Sequence, residues 1–144
     1  MLVKTKRFGE LNINEQDIIT MFGGLAGFEE NVRYILLDHD DKSPYKWLQS
    51  VDHPELAFVV IEPFIFFADY QFELSQNDIR ELEVSKPEDV AVLVILVIPE
   101  DPRKMTANIK APLVINKTKM KGKQVVLNNE AYPVKMFLFP QEEK

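Results

Sequence analysis

An unbroken apolar run, Val90-Ala-Val-Leu-Val-Ile-Leu-Val-Ile98, constrains this chain more than any other stretch. It is too short to cross a membrane as a helix. Its β-branched residues lose side-chain freedom in a helix and pack well on a pleated surface. A strand buried on both faces, in the middle of a β fold, accounts for it. Pro99 and Pro102 end the run, and a second extended segment is expected from about Met105 to Ile115.

The chain has 144 residues, of which 46% are hydrophobic. That suffices for one domain with a core and excludes a disordered polymer. There is no Cys, which removes disulfides, thiolate metal sites and Cys nucleophiles and fits a reducing compartment. The N-terminal Met1-Leu-Val-Lys-Thr-Lys-Arg7 lacks an apolar stretch after its basic residues, so no signal peptide is expected. A cytoplasmic protein with no membrane span is the expectation. The net charge of -6 disfavours general nucleic-acid binding, whose affinity comes mostly from neutralising phosphates. Charge is uneven along the chain: residues 62–101 sum to -8 and residues 103–135 to +7. Such asymmetry bears on partners and encounter rates, or else marks two ordinary solvated faces.

Further strands are expected at Leu2–Phe8, Leu11–Ile13, Asp17–Phe22, Tyr34–Leu37, Tyr45–Val51, Leu56–Ile61, Gln124–Leu127 and Val134–Phe139. One helical turn is expected at Gly27–Glu30, and a basic hairpin turn from Lys117 to Lys123 around Gly122. Trp47 is placed at a core or its rim. The best helix start is Leu74-Ser-Gln-Asn-Asp-Ile79: Ser75 as N-cap with Asp78 three residues on, and Leu74 and Ile79 spaced as a hydrophobic staple. Pro87 limits that helix to about Leu82 or Glu83. The sum is roughly nine short strands with turns every 8–14 residues. It predicts an all-β, mainly antiparallel barrel or sandwich with one or two short helices, the helix capping one end. One domain is expected over residues 1–140, with a flexible tail at 141–144.

Catalytic chemistry is not visible. Asp38-His-Asp-Asp41 reads as a solvated turn rather than a metal site. Ser50, Asp52 and His53 are too close in sequence for a triad by local placement. Gly23-Gly-Leu-Ala-Gly27 lacks the spacing of a phosphate loop, and a turn needing positive φ explains it better. Neither an enzyme nor a cofactor or metal site is expected. Two stretches suit binding. In Phe64-Ile-Phe-Phe-Ala-Asp-Tyr70, strand alternation would put Phe64, Phe66 and Ala68 on one face and Ile65, Phe67 and Asp69 on the other, leaving one set as an interface anchor unless both are buried. The basic segment within 103–135 offers an alternative, an RNA- or other nucleic-acid-binding module, although no aromatics interleave its Lys117–Lys123 run. A small-molecule barrel would need a cavity, whereas the apolar runs predict a filled core.

Several stretches together carry a family resemblance: Gly24-Leu-Ala-Gly-Phe-Glu29, Trp47-Leu-Gln-Ser50, Pro54-Glu-Leu-Ala-Phe58, Ala68-Asp-Tyr70, Asp89-Val through Val-Ile-Pro99, and Met105-Thr-Ala-Asn-Ile-Lys-Ala-Pro-Leu-Val-Ile-Asn116 followed by Gln124-Val-Val-Leu127. In this order they resemble the FliW family of bacterial flagellar assembly factors. The chain departs from that pattern at Ala26 and Ala68, where many members have Pro, and at Leu96, where Thr is common. The resemblance implies a non-enzymatic, cytoplasmic, β-barrel-like protein. Nothing in the sequence demands a dimer, and a monomer on its own is the expectation. It implies binding to flagellin and to the RNA-binding translational repressor CsrA, with flagellin competing for the protein and so releasing the repressor. Partner-binding residues expected on that reading are Asp69, Glu73, Asp78, Glu81 and Glu83 for the basic repressor, and exposed members of the set Phe64, Phe67 and Tyr70 for flagellin. Asn108 and Asn116, within the most specific motif, are expected to satisfy turn backbone.

Overall fold

The structure, a computed structural model, describes residues 1–38 and 42–141. Among these, eleven strands are defined: β1 (Leu2–Thr5), β2 (Gly9–Asn12), β3 (Ile19–Phe22), β4 (Arg33–Asp38), β5 (Lys46–Ser50), β6 (Ala57–Ile61), β7 (Val90–Val97), β8 (Thr106–Ala107), β9 (Leu113–Asn116), β10 (Lys121–Gln124) and β11 (Met136–Phe137). The single α-helix is α1 (Gln76–Glu81). Seven strands close a ring in the order β7-β6-β5-β4-β3-β10-β9, shut by β9 pairing with β7. Every neighbour pair in the ring is antiparallel except β10 with β3. The all-β, barrel-like expectation thus holds.

β7 is covered on both faces from Val92 to Leu96, while the end of the apolar run is exposed, Val97 at 57% and Ile98 at 45%. Leu93 and Ile95 point into the barrel with Ile19, Met21, Tyr34, Leu48, Val60 and Ile115. Val92, Val94 and Leu96 point outward into a second core with Ile61, Tyr70, Met105, Ile109 and Leu138. A strand walled by two cores has no polar face to show, which is why its sequence does not alternate. β6 behaves likewise, with Phe58 and Val60 inward and Val59 and Ile61 outward.

Several expected elements differ. Met105–Ile115 is not one strand: β8 pairs with the second half of β7, β9 with the first half, and residues 108–112 loop out between them. Within that loop the Ala111 amide donates to Asn108 Oδ1 at 3.1 Å. The basic turn occupies residues 117–120, with Met120 at φ 54°. Gly122 lies inside β10, where a Cβ would push on Met21 Sδ in the barrel interior, so the glycine serves close packing and not a turn. Residues 125–127 follow the 110–112 loop, Val125 and Leu127 donating to the Pro112 and Lys110 carbonyls, outside any defined strand. The last strand shrinks to Met136–Phe137. Gly27–Glu30 forms turns instead of a helix, and Gly24 (φ +66°) allows the chain to double back, because a Cβ there would lie 2.7 Å from the Glu29 backbone. Gln141, assigned to the tail, donates to the Arg103 and Phe139 carbonyls. His39, Asp40 and Asp41 of the acidic turn, and residues 142–144 of the tail, lie outside the described residues.

Candidate partner-binding site

The Phe64–Tyr70 segment is not a strand. Pro63 opens a 3-10 turn (Pro63–Ile65), and the amides of Phe66 and Phe67 both donate to the Pro63 carbonyl. Alternation therefore does not sort its side chains. Phe64 and Ile65 are 47% and 59% exposed and form the apolar surface of the segment. Phe66 and Phe67 are half-buried against the outer core, and Asp69 is exposed. Tyr70 is buried, with its hydroxyl donating to the Ile109 carbonyl at 2.7 Å and its ring 4.7 Å from that of Tyr132. Burial, and then the neighbouring Tyr132, push its phenol above the usual tyrosine range. Tyr70 is a core residue and not an exposed anchor.

α1 starts where the capping pattern places it, with the Asp78 amide donating to Ser75 Oγ at 3.0 Å. It ends at Leu82, which is fully buried. It does not plug a barrel end; it lies beside β9 and β10. Asn116, at the end of β9, donates through Nδ2 to the Leu82 and Glu83 carbonyls and accepts at Oδ1 from the Thr118 and Lys119 amides. The most specific motif therefore ends in a side chain that ties the helix end to the following turn, in line with its expected backbone role.

The acidic residues of α1 are not free. Lys123 of β10 lies 2.7 Å from Asp78 and 2.9 Å from Glu81, and Lys121 bridges Glu83. Asp78 is buried. Burial pushes its carboxyl up, but Lys123 and the Ser75 hydroxyl outweigh that and hold it below the ordinary carboxylate range. The Lys123 ammonium is raised by the same two carboxylates. The negative and positive halves read along the sequence thus partly neutralise each other in space. Asp78 is withdrawn from the surface, and Glu81 and Glu83 already hold a cation. Asp69 and Glu73 are exposed and make no ion pair among the described residues. The same pairing subtracts Lys121 and Lys123 from the basic segment, and Arg103 is held by Asp101 at 3.0 Å.

Between the aromatic segment and α1 runs a groove of about 730 Å³. Phe64, Phe72, Leu74, Ile79, Val92 and Val114 form its apolar lining, and Glu73 and Lys86 stand among its polar residues. The groove brings Phe64, Tyr70 and Glu73 of the expected set together. Phe67, Asp69, Asp78, Glu81 and Glu83 do not line it. Sequence reasoning missed Phe72, Val92 and Val114, which come from the loop before α1, β7 and β9; only the staple spacing of Leu74 and Ile79 hinted that one side of α1 is apolar.

The middle of the barrel is filled by the inner core, and one mouth holds a pocket of about 840 Å³. Among the described residues no three His, Asp or Glu side chains are grouped to hold a metal ion, and no helix is long and apolar enough to cross a membrane.

A family model described as FliW protein matches residues 2–138 of the chain. A flagellar assembly factor FliW from Alkaliphilus metalliredigens (strain QYMF) is 41% identical over 145 aligned residues, covering 100% of this chain and 90% of that protein. One from Syntrophus aciditrophicus (strain SB) is 45% identical, covering 99% and 90%. A solved structure, described as the crystal structure of the flagellar assembly factor FliW, superposes with a TM-score of 0.92 at 40% identity, covering 99% of this chain and all of that one.

Proposed function

The chain belongs to the FliW family of flagellar assembly factors, and we propose that it acts in flagellar assembly as a cytoplasmic, non-catalytic partner switch that binds flagellin and the translational repressor CsrA in competition. Bound to this protein, the repressor is kept from the flagellin message; accumulating flagellin takes its place and translation falls. Such a device needs no chemistry, because its set point follows from two affinities and two concentrations.

The observation that carries this reading is the apolar groove with the exposed Phe64 and Ile65 at its side and unpaired acids beside it. An amphipathic flagellin segment would lay its apolar face there. Asp69 and Glu73, which hold no cation among the described residues, would attract the basic repressor, and Glu81 and Glu83 would contribute less than their charge suggests. The test is titration calorimetry with each purified partner. Phe64→Ala is expected to weaken flagellin binding by tenfold or more, as loss of an aromatic anchor does. Asp69→Lys with Glu73→Lys is expected to weaken repressor binding and flatten its salt dependence. Unchanged affinities in both variants would remove this placement, and no binding of either partner by the unmodified protein would remove the function.

A further inference from the structure

The two ends of the barrel are finished differently. At one end the rings of Phe28 and Tyr34 pack on Phe58, with centroids 5.3 and 6.3 Å apart, and stopper the interior. At the other end no aromatic residue is among the described residues that line the mouth. There the strand ends frame the pocket of about 840 Å³, within the size range of small-molecule sites. Its floor is the top of the barrel core: Ile19, Leu36, Leu93 and Ile115. The mouth stays open because the inward row of β7 begins with Ala91, a small residue, above Leu93 and Ile95.

The rim charges alternate in sign around the ring. Glu62 follows β6, Lys46 begins β5, Asp17 precedes β3 and Lys117 follows β9. Lys46 is taken by Asp38, which lies outside the pocket, at 3.0 Å. Glu62, Asp17 and Lys117 make no ion pair among the described residues. An aliphatic floor beneath unpaired charges of both signs is complementary to a ligand with an aliphatic body and a zwitterionic head. A cationic ligand would leave Lys117 unmatched and an anionic one would leave Glu62 and Asp17 unmatched, and the lining offers an aromatic ligand no ring to stack on.

We propose that the open barrel mouth binds an aliphatic zwitterion of amino-acid or short-peptide size, its ammonium held by Glu62, its carboxylate by Lys117, and its side chain on the floor formed by Ile19, Leu36, Leu93 and Ile115. The site shares no lining residue with the groove beside α1, so it stands independently of the partner-switch reading.

The test is an NMR titration of the full chain at millimolar ligand, following Ala91, Ile115 and Met120, with L-leucine, L-leucyl-L-leucine, n-hexylamine and hexanoate as probes. Saturable shifts are expected with leucine, the dipeptide or both, and which of them binds identifies a free amino acid or a peptide as the source. The two singly charged probes are expected to bind at least about tenfold more weakly, since each lacks one charge-assisted contact. Ala91→Phe should abolish the shifts. Glu62→Gln and Lys117→Gln, both at exposed positions that leave the core intact, should each weaken binding by about tenfold. No saturable shift with either zwitterion, equal binding of hexylamine or hexanoate, or indifference to both rim variants would overturn the proposal.

Discussion

Asn116 shows how one side chain joins several elements. Only 1% exposed, it meets two carbonyls at the end of α1 and two amides of the 117–120 turn, filling its hydrogen-bonding capacity. Asn116→Ala strands these groups and is expected to cost about 3 kcal/mol in urea unfolding. The Nε2 of Gln49 faces the carbonyls of Ser50, His53, Pro54 and Leu56 and so gathers the turn after β5, while its Oε1 is buried without a partner among the described residues. The Tyr34 hydroxyl is likewise buried without a partner among the described residues, and burial pushes the phenol up to about 12. Tyr34→Phe removes an unsatisfied group and is expected to leave stability unchanged or raise it by up to about 1 kcal/mol, measured by the same unfolding curves. The family motifs Trp47–Ser50 and Met105–Asn116 were readable as identifiers. What Gln49 and Asn116 hold was not, because Leu82 lies 34 residues from the asparagine it meets.

α1 is a short element that cannot persist alone and draws its stability from what it touches. Its N-terminus was legible because capping is local: Ser75 and Asp78 lie three residues apart. Its attachment was not, since Lys123 lies 45 residues from Asp78. The ionic clasp has a defined pH window. Asp78 titrates lower in the folded protein than in the unfolded chain, so its contribution is present above the ordinary carboxylate range and is lost as pH falls below about 4. Lys123 titrates higher, so its contribution is present below the ordinary lysine range and is lost as pH rises above about 10.4. Lys123→Met leaves Asp78 buried without its cation and is expected to cost about 2 kcal/mol at pH 7. Between pH 7 and pH 3 the variant should lose less stability than the unmodified protein, read from urea midpoints at the two pH values.

At the scale of the molecule, two cores share one wall. β7 separates the barrel interior from the outer layer built by residues 63–72 and the C-terminal strap carrying Val125, Leu127, Tyr132, Met136 and Leu138. Removing the strap by ending the chain at Gln124 would expose Val94, Leu96, Met105 and Ile109 on one contiguous face. Each large aliphatic side chain so uncovered forfeits about 1.5–3 kcal/mol, so the truncated chain is expected to lose cooperative unfolding and to bind a hydrophobic dye. A folded monomer with a sharp urea transition would contradict the two-core account. β7 and β9 also stand between the two recesses: Ala91, Leu93 and Ile115 face the barrel mouth, and Val92 and Val114 face the groove beside α1.

The chain's local physics determined that β7 is doubly buried, that Ser75 caps the start of α1, that the fold is mostly β, and, through its motifs, which family it resembles. Each of these rests on residues a few positions apart. Tertiary structure alone decided that the sheet closes through β9 on β7 and β10 on β3, that Pro63 turns the aromatic segment out of any strand, and that the acidic and basic halves meet. It also left Asp69 and Glu73 without an ion pair among the described residues and the barrel open at one end. The apolar run that most constrained the sequence could specify burial on two sides but not what lay on either. Burial is a property of the strand itself, whereas its covering comes from residues 19–115 on one side and 61–138 on the other.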